Sequence, residues 1–126
     1  MNNIRNIGQV SVTVKDLSRA VVFYRDVLAL QYIWETNGMA FFQCGEVRLM
    51  LSLPENKASS VGEQTSVIYY NVEDIGAAYD DLVLRGAVFK DKPHEIGKLG
   101  DYSIMMAFFN DTEGNLVAIQ SEVPTK

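Results

Sequence analysis

The chain has 126 residues, of which 48% are hydrophobic and 21% are charged, a composition typical of one compact globular domain. Its net charge of −5 disfavours nucleic acid and anionic membranes as partners, because both attract concentrated Lys and Arg, and mildly favours a neutral or cationic ligand. No apolar run approaches the roughly 20 residues that cross a bilayer, and the first residues lack the apolar segment of a signal peptide, so we expect a cytoplasmic protein.

The first predicted elements are a strand and a helix. Over residues 7–14, valines alternate with polar side chains, which is the period of a half-buried strand. The polar side chains of this strand are Gln9, Ser11 and Thr13. Asp16 is a candidate N-cap, and the apolar residues that follow it share one helical stripe, which predicts an amphipathic helix over 17–28 packed on the valine face.

Three β-like segments follow, over residues 32–35, 39–44 and 47–53. Asn37-Gly38 and Gly45 separate them and are typical turn signals. The polar stretch 55–63 then reads as a linker.

The second half predicts the same order of elements. A strand over 66–72 precedes a helix that is capped by Asp74 and ends near Gly86. The remaining segments are a short strand, a loop and a hairpin, over 87–90, 91–101, and 103–110 with 116–120.

Two matching stretches show that the halves are repeats. Asp16 and Asp74 stand in the same local context, and Met39-Ala-Phe-Phe recurs as Met106-Ala-Phe-Phe. We therefore predict an α+β fold of two β-α-β-β-β modules, about 4–54 and 64–122, forming a cupped mixed sheet within one domain, 1–126. Neither module can bury both faces of its strands alone, so the sheets should associate within the chain or across a dimer.

This repeated unit resembles the vicinal oxygen chelate superfamily, which includes glyoxalase I, extradiol dioxygenases and bleomycin-resistance proteins. The resemblance rests on the segment from Val14-Lys-Asp16 to Leu28 and on the late Asp111-Thr-Glu-Gly114-Asn115. It implies that the sheets curl into a cup with the helices outside, and that the site lies inside the cup, often near a dimer interface. We accordingly expect a homodimer.

The resemblance also implies four positions for metal ligands. They fall on Gln9, Leu49, Val67 and Ala118. Three aliphatic side chains supply no donor atom, so we predict neither a metal nor another cofactor. Glu122 has the same strand parity as Ala118 and is the one obvious acid that could supply a metal ligand on that face.

The parity of the strands predicts a ligand-binding face. Its polar and aromatic members are Gln9, Ser11, Thr13, Tyr69, Asn71 and Gln120. The same parity places Leu49 and Leu51 on this face, which gives the mostly apolar lining of a small-molecule pocket. The alternative is that larger side chains fill the cup as core.

His94 is the only histidine and the candidate catalytic residue. It lies in a glycine-punctuated segment where Glu95 or Asp101 could orient it as an acid or base. The alternative is a solvated loop histidine.

Aromatic and methionine side chains concentrate on the strands, where they form core, dimer interface, or a wall that stacks on a planar ligand, as in drug-binding members of the superfamily. Cys44, the only cysteine, lies beside two phenylalanines and reads as a packed thiol rather than a reactive one.

These features favour a metal-independent protein that binds or sequesters a small, partly planar molecule. Two enzymatic alternatives stay open: a metal-dependent lyase, isomerase or dioxygenase, and a metal-free catalyst built on His94. A third possibility is a dimerisation module with a filled cup.

Overall fold

The structure, a computed structural model, describes residues 3–54 and 64–125. The chain divides into two compact units, Met1–Gly62 and Glu63–Lys126, called unit 1 and unit 2 below. The predicted linker, 55–63, lies outside the described residues, and the module boundaries 4–54 and 64–122 stay a prediction. No helix in the described part of the chain is long and apolar enough to cross a membrane.

Unit 1 contains four strands and one helical segment. The elements are β1 (Gln9–Thr13), α1 (Leu17–Val22) continued by a π-helical turn (Phe23–Val27), β2 (Gln31–Thr36), β3 (Met39–Cys44) and β4 (Val47–Ser52).

Unit 2 repeats this order with longer final strands. Its elements are β5 (Ile68–Asn71), α2 (Ile75–Leu84), β6 (His94–Leu99), β7 (Tyr102–Asn110) and β8 (Leu116–Pro124).

Both sheets have the same mixed topology. Their strand orders are β1-β4-β3-β2 and β5-β8-β7-β6. The first strand of each unit pairs in parallel with the last strand, and the other pairs are antiparallel. The predicted α+β class and the paired β-α-β-β-β order are therefore confirmed.

The helix of unit 1 begins as predicted but changes its winding. The Asp16 side chain accepts a hydrogen bond from the backbone N–H of Arg19 at 3.1 Å, which satisfies one donor of the first turn. Beyond Val22 the chain widens into the π-helical turn, where the N–H of Leu28 bonds to the carbonyl of Phe23. Ala29 follows at φ 59°, a left-handed conformation that ends the helix.

The core of unit 1 lies between the helix and one face of the sheet. The ring of Tyr24 is 6.2 Å from that of Phe42, and both side chains are fully buried. Leu49 and Leu51 of β4 are buried on the same face of the sheet. This face supplies the apolar surface that the helix needs.

Unit 2 buries the corresponding face of its sheet. Phe109, Val117 and Ile119 are almost completely buried on β7 and β8, where α2 packs. The ring of Phe89 contacts the rings of Tyr79 and Phe109, with centroids at 4.6 and 4.8 Å, which joins the helix to the sheet through the connecting segment.

The strand after α2 differs from the prediction. Residues 87–90 form only an isolated bridge, Phe89 to Phe109, while β6 lies within the stretch 91–101 that the sequence predicts as a loop. The pairing of β6 with β7 shifts register between Glu95 and Gly97, so a bulge accommodates the glycine that suggested a loop.

Replacing Asp74 with alanine should lower the free energy of unfolding by about 1 kcal/mol, because its side chain accepts from the N–H of Ala77 at the start of α2. Urea denaturation followed by circular dichroism measures the change. Asp80→Ala is the matched control, since Asp80 is an exposed acid inside the same helix. Equal losses in the two variants would show that the cap does not stabilise the helix.

Candidate functional site

Each sheet has an open face, which we define as the face opposite its helix. In unit 1 the polar side chains of β1 lie on this face, and the parallel register sets their neighbours on β4. The pairs are Gln9 with Arg48, Ser11 with Met50, and Thr13 with Ser52. The predicted ligand-binding residues of unit 1 thus share one face.

The predicted orientation of the β4 side chains was wrong. Leu49 and Leu51 are 3% and 0% exposed and lie on the helix face, not on the open face. The reason is the register: Arg48 pairs with Gln9, so the residues next to Arg48 on β4 point the other way. The residue equivalent to Ala118 of unit 2 is Met50.

An aromatic stack lies on the open face of unit 1. The indole of Trp34 on β2 stacks on the ring of Phe41 on β3, with centroids 5.5 Å apart and planes 14° from parallel. Trp34 remains 52% exposed, which is high for the largest apolar side chain of the unit.

Arg48 extends this stack by one further strand. Its guanidinium carbon lies 5.9 Å from the centroid of the Phe41 ring, within the range of a cation–π contact. Its Nε donates a 2.7 Å hydrogen bond to Oε1 of Gln9. The ring and the amide therefore hold the guanidinium from two sides. Beside them, the hydroxyls of Ser11 and Ser52 are 3.2 Å apart.

The open face of unit 2 carries a row of side chains across all four strands. Register places His94 of β6 opposite Met106, Met106 opposite Gln120, and Gln120 opposite Asn71. Gln120 Nε2 donates to Asn71 Oδ1 at 2.8 Å. That bond leaves the side-chain atoms Oε1 of Gln120 and Nδ2 of Asn71 free of hydrogen bonds to any residue the structure describes.

The neighbouring row of unit 2 is aromatic. Tyr69 pairs with Ala118, and Ala118 pairs with Phe108. The rings of Tyr69 and Phe108 meet edge to face at 5.9 Å, and Ala118 between them is completely buried. The small side chain of Ala118 lets the two rings approach across the central strand.

His94 lies at the start of β6 rather than in a loop. Its Nδ1 is 2.8 Å from the carbonyl of Lys92, which only accepts, so Nδ1 carries the proton and Nε2 keeps its lone pair in the neutral ring. Asp91 Oδ2 lies 3.6 Å from the same nitrogen. The acid beside the ring is thus Asp91, which the sequence did not suggest.

Among the described residues, neither acid predicted to orient His94 forms a hydrogen bond with its ring. Glu95 accepts a hydrogen bond from the Ser103 hydroxyl, and it lies opposite Met105, on the helix face. The backbone carbonyl of Asp101 accepts from the N–H and the hydroxyl of Thr125.

Sequence reasoning missed the importance of Arg48 and left Trp34 and Phe41 as core or interface. A usable signal existed for Arg48. Along β4, Arg48 and Ser52 share the parity opposite to Leu49 and Leu51, which is the alternation of a strand with one open face.

Comparison with known proteins identifies the family to which this fold belongs. The model of the Glyoxalase/Bleomycin resistance protein/Dioxygenase superfamily matches residues 6–119. The chain belongs to this superfamily. An uncharacterised protein of Bacillus subtilis, YraH, is 32% identical over 123 residues, covering 88% of this chain and 94% of that protein.

Solved structures share the fold. An integron cassette protein from Vibrio cholerae superimposes with a TM-score of 0.77 at 19% identity, covering 96% of this chain and 98% of its own. A virulence protein of Salmonella typhimurium reaches 0.77 at 22% identity, covering 95% and 98%. A lactoylglutathione lyase from Agrobacterium tumefaciens reaches 0.72 at 20% identity, covering 92% of each chain. These likenesses establish the fold and not the activity.

The open face of unit 1 does not fit the divalent ion that many members of the superfamily use. Gln9 has a donor oxygen, but the Arg48 guanidinium already binds it. A divalent cation roughly 5 Å from that guanidinium would meet a repulsion of about 7 kcal/mol at an effective dielectric constant of 20. Leu49, on which the resemblance places the second ligand of this unit, lies on the helix face. Met50, the equivalent of Ala118, contributes only a thioether, a poor ligand for hard cations.

Unit 2 does not assemble a donor set either. Val67 and Ala118, on which the resemblance places the metal ligands of unit 2, have no donor atom in their side chains, and Glu122 pairs with Ile104, one row beyond Gln120. His94 is two strands from Gln120, which is roughly 10 Å at ordinary strand spacing. No group of three His, Cys, Asp or Glu within reach of one ion occurs among residues 3–54 and 64–125.

Cys44 should behave as a packed thiol. Burial raises the pKa of this thiol, so at a given pH a smaller fraction is the reactive thiolate than for a free cysteine. The rate of alkylation by iodoacetamide should therefore rise with a midpoint above that of a free thiol, whereas the urea-unfolded chain should show the ordinary midpoint. A folded-state midpoint at or below the unfolded one would contradict this.

Proposed function

We propose that this protein binds a small, partly planar organic molecule without a metal, as a carrier or sequestering protein of the bleomycin-resistance type. The observation that carries the proposal is the exposed stack of Trp34 on Phe41, beside Arg48 and a serine pair, on the open face of unit 1. An exposed stacked pair of this kind is costly to leave in water and offers a flat surface to a ring.

The surroundings of the stack support binding more than core packing. Phe41, Met50 and Ser52 are half-buried, while Trp34 and Arg48 are exposed. A few hydrogen-bonding groups among aromatic and thioether side chains are the usual composition of a small-molecule site.

The proposal predicts that ligand binding depends on the aromatic stack. In a calorimetric and thermal-shift screen of planar compounds, Trp34→Ala should weaken the binding of any hit at least about tenfold, because stacking and apolar burial together contribute more than 1.4 kcal/mol. Trp34→Phe keeps a ring and should retain most of the affinity. Leu84→Ala, which removes an apolar side chain 86% exposed on α2, is the matched control and should leave affinity unchanged.

The same screen tests independence from metal. Binding should be identical in EDTA and after addition of Zn²⁺, Ni²⁺ or Mn²⁺, and elemental analysis of the purified protein should find no stoichiometric metal. Affinity that vanishes in EDTA and returns with one ion would refute the proposal and support the metal-dependent lyase, isomerase or dioxygenase.

A second candidate function, a metal-free catalyst, is supported by the geometry of His94. Its Nδ1 is held by the Lys92 carbonyl near Asp91, so Nε2 is available as a base, and the ring starts a row that includes Gln120 and Asn71. This orientation is the arrangement that general-base catalysis requires.

The catalyst predicts that His94→Gln abolishes turnover of a substrate found in the screen while binding changes less than about twofold. Asp91→Asn, which removes the nearby charge, should lower turnover less and alter its pH profile. Full turnover in His94→Gln would eliminate this candidate and leave the binder unaffected. The homodimer remains a prediction, which sedimentation velocity would test.

A further inference from the structure

The charge at the centre of the unit 1 open face is the strongest feature that the proposed function leaves unexplained. Arg48 is exposed on β4, a central strand, and its Nε hydrogen bond goes to the neutral amide of Gln9. No described carboxylate lies within ion-pair distance of Arg48.

The guanidinium is held in place by its neighbours. The Phe41 ring supports it at 5.9 Å and Gln9 fixes its Nε at 2.7 Å. A side chain restrained at two points loses less conformational entropy when it binds a ligand than a free arginine does. Its two terminal nitrogens carry four more N–H donors, and no described residue occupies them.

The position of this charge is informative as well. Gln9 is the residue on which the superfamily resemblance places a metal ligand, and the guanidinium binds the amide oxygen that such an ion would use. The positive charge next to Gln9 on this face is thus a guanidinium with planar donors. Planar donors in a fork recognise carboxylates in two-point hydrogen bonds.

The aromatic stack and the guanidinium adjoin. Trp34, Phe41 and Arg48 follow one another on adjacent strands at 5.5 and 5.9 Å. A flat ring on the stack with an anionic substituent on its edge can engage both at once. A cation is repelled at this place, and a neutral ring gains only the stacking contact.

We propose that Arg48 takes the place of the inherited metal ion, so that the site of unit 1 selects planar aromatic carboxylates, with the ring on Trp34 and Phe41 and the carboxylate on the guanidinium. This inference rests on the proposed function and narrows its ligand class. The net charge of the chain favours a neutral or cationic ligand, but a ligand on the stack would meet the positive charge of Arg48, which favours an anion.

The test uses the single tryptophan of the chain as its reporter. Nitroaromatic rings quench indole fluorescence on contact, so titration with 4-nitrobenzoate, 4-nitrobenzamide and 4-nitrobenzylamine compares an anion, a neutral molecule and a cation on one ring. Free N-acetyltryptophanamide corrects for absorption by the probes. We expect 4-nitrobenzoate to bind about tenfold more tightly than the amide, the effect of a charge-assisted hydrogen bond, and the amine to bind most weakly.

Substitutions of Arg48 separate charge from shape. Arg48→Gln should abolish the preference for the carboxylate over the amide, whereas Arg48→Lys should keep part of the preference, because it retains the charge without the fork. Arg85→Gln, which removes the same charge from the end of α2, is the matched control and should keep the full preference.

Each remaining outcome contradicts the inference. Equal affinity for the three probes, or a carboxylate preference that survives in Arg48→Gln, overturns the selection of anions while the binding of planar rings still stands. The absence of quenching by all three probes overturns the inference as well, and the proposed function is then decided separately by the calorimetric screen, which does not depend on these compounds.

Discussion

The parallel pairing of the first strand with the last strand in each unit determines the rest of the structure. In unit 1 this pairing sets Gln9 beside Arg48, and in unit 2 it sets Asn71 beside Gln120. Because side chains alternate along a strand, one such pair fixes the face of every residue in both strands. It also requires a crossover, which the helix provides, and the helix then covers the face that carries Leu51 or Ile119. The helix does not cover the opposite face of the sheet, so the side chains on that face can serve a function.

The open faces of the two units carry different side chains. Unit 1 presents an aromatic stack that continues into an arginine, whereas unit 2 presents an amide pair, an edge-to-face ring pair and the only histidine. The core faces have diverged far less, since Phe42 and Phe109 are both fully buried within the repeated tetrapeptide. A core must keep volume and shape, while an exposed face is constrained chiefly by what it binds.

Local patterns were sufficient for most of the fold. The alternation over β1 and the caps at Asp16 and Asp74 predicted elements that the structure contains, because each depends on residues a few positions apart. The errors arose where the structure of a segment depends on residues far away in the sequence. The face of Leu49 depends on the pairing of Arg48 with Gln9, 39 residues away, and β6 depends on β7 for every hydrogen bond that turns a glycine-rich stretch into a strand. The contact of Arg48 with Phe41 depends in turn on that same register.

The division of groups between the units bears on what chemistry each face can perform. The side chains on the open face of unit 1 described above are a guanidinium, aromatic rings, a thioether, hydroxyls and an amide. Such a face can hold and orient an anion, but none of these described side chains is a histidine or a carboxylate that could act as a general base. The only histidine of the chain, His94, belongs to unit 2. The two proposed functions therefore use different units, a binder the side chains of unit 1 and a catalyst His94 of unit 2, so that substitutions in one unit test one proposal without altering the residues of the other.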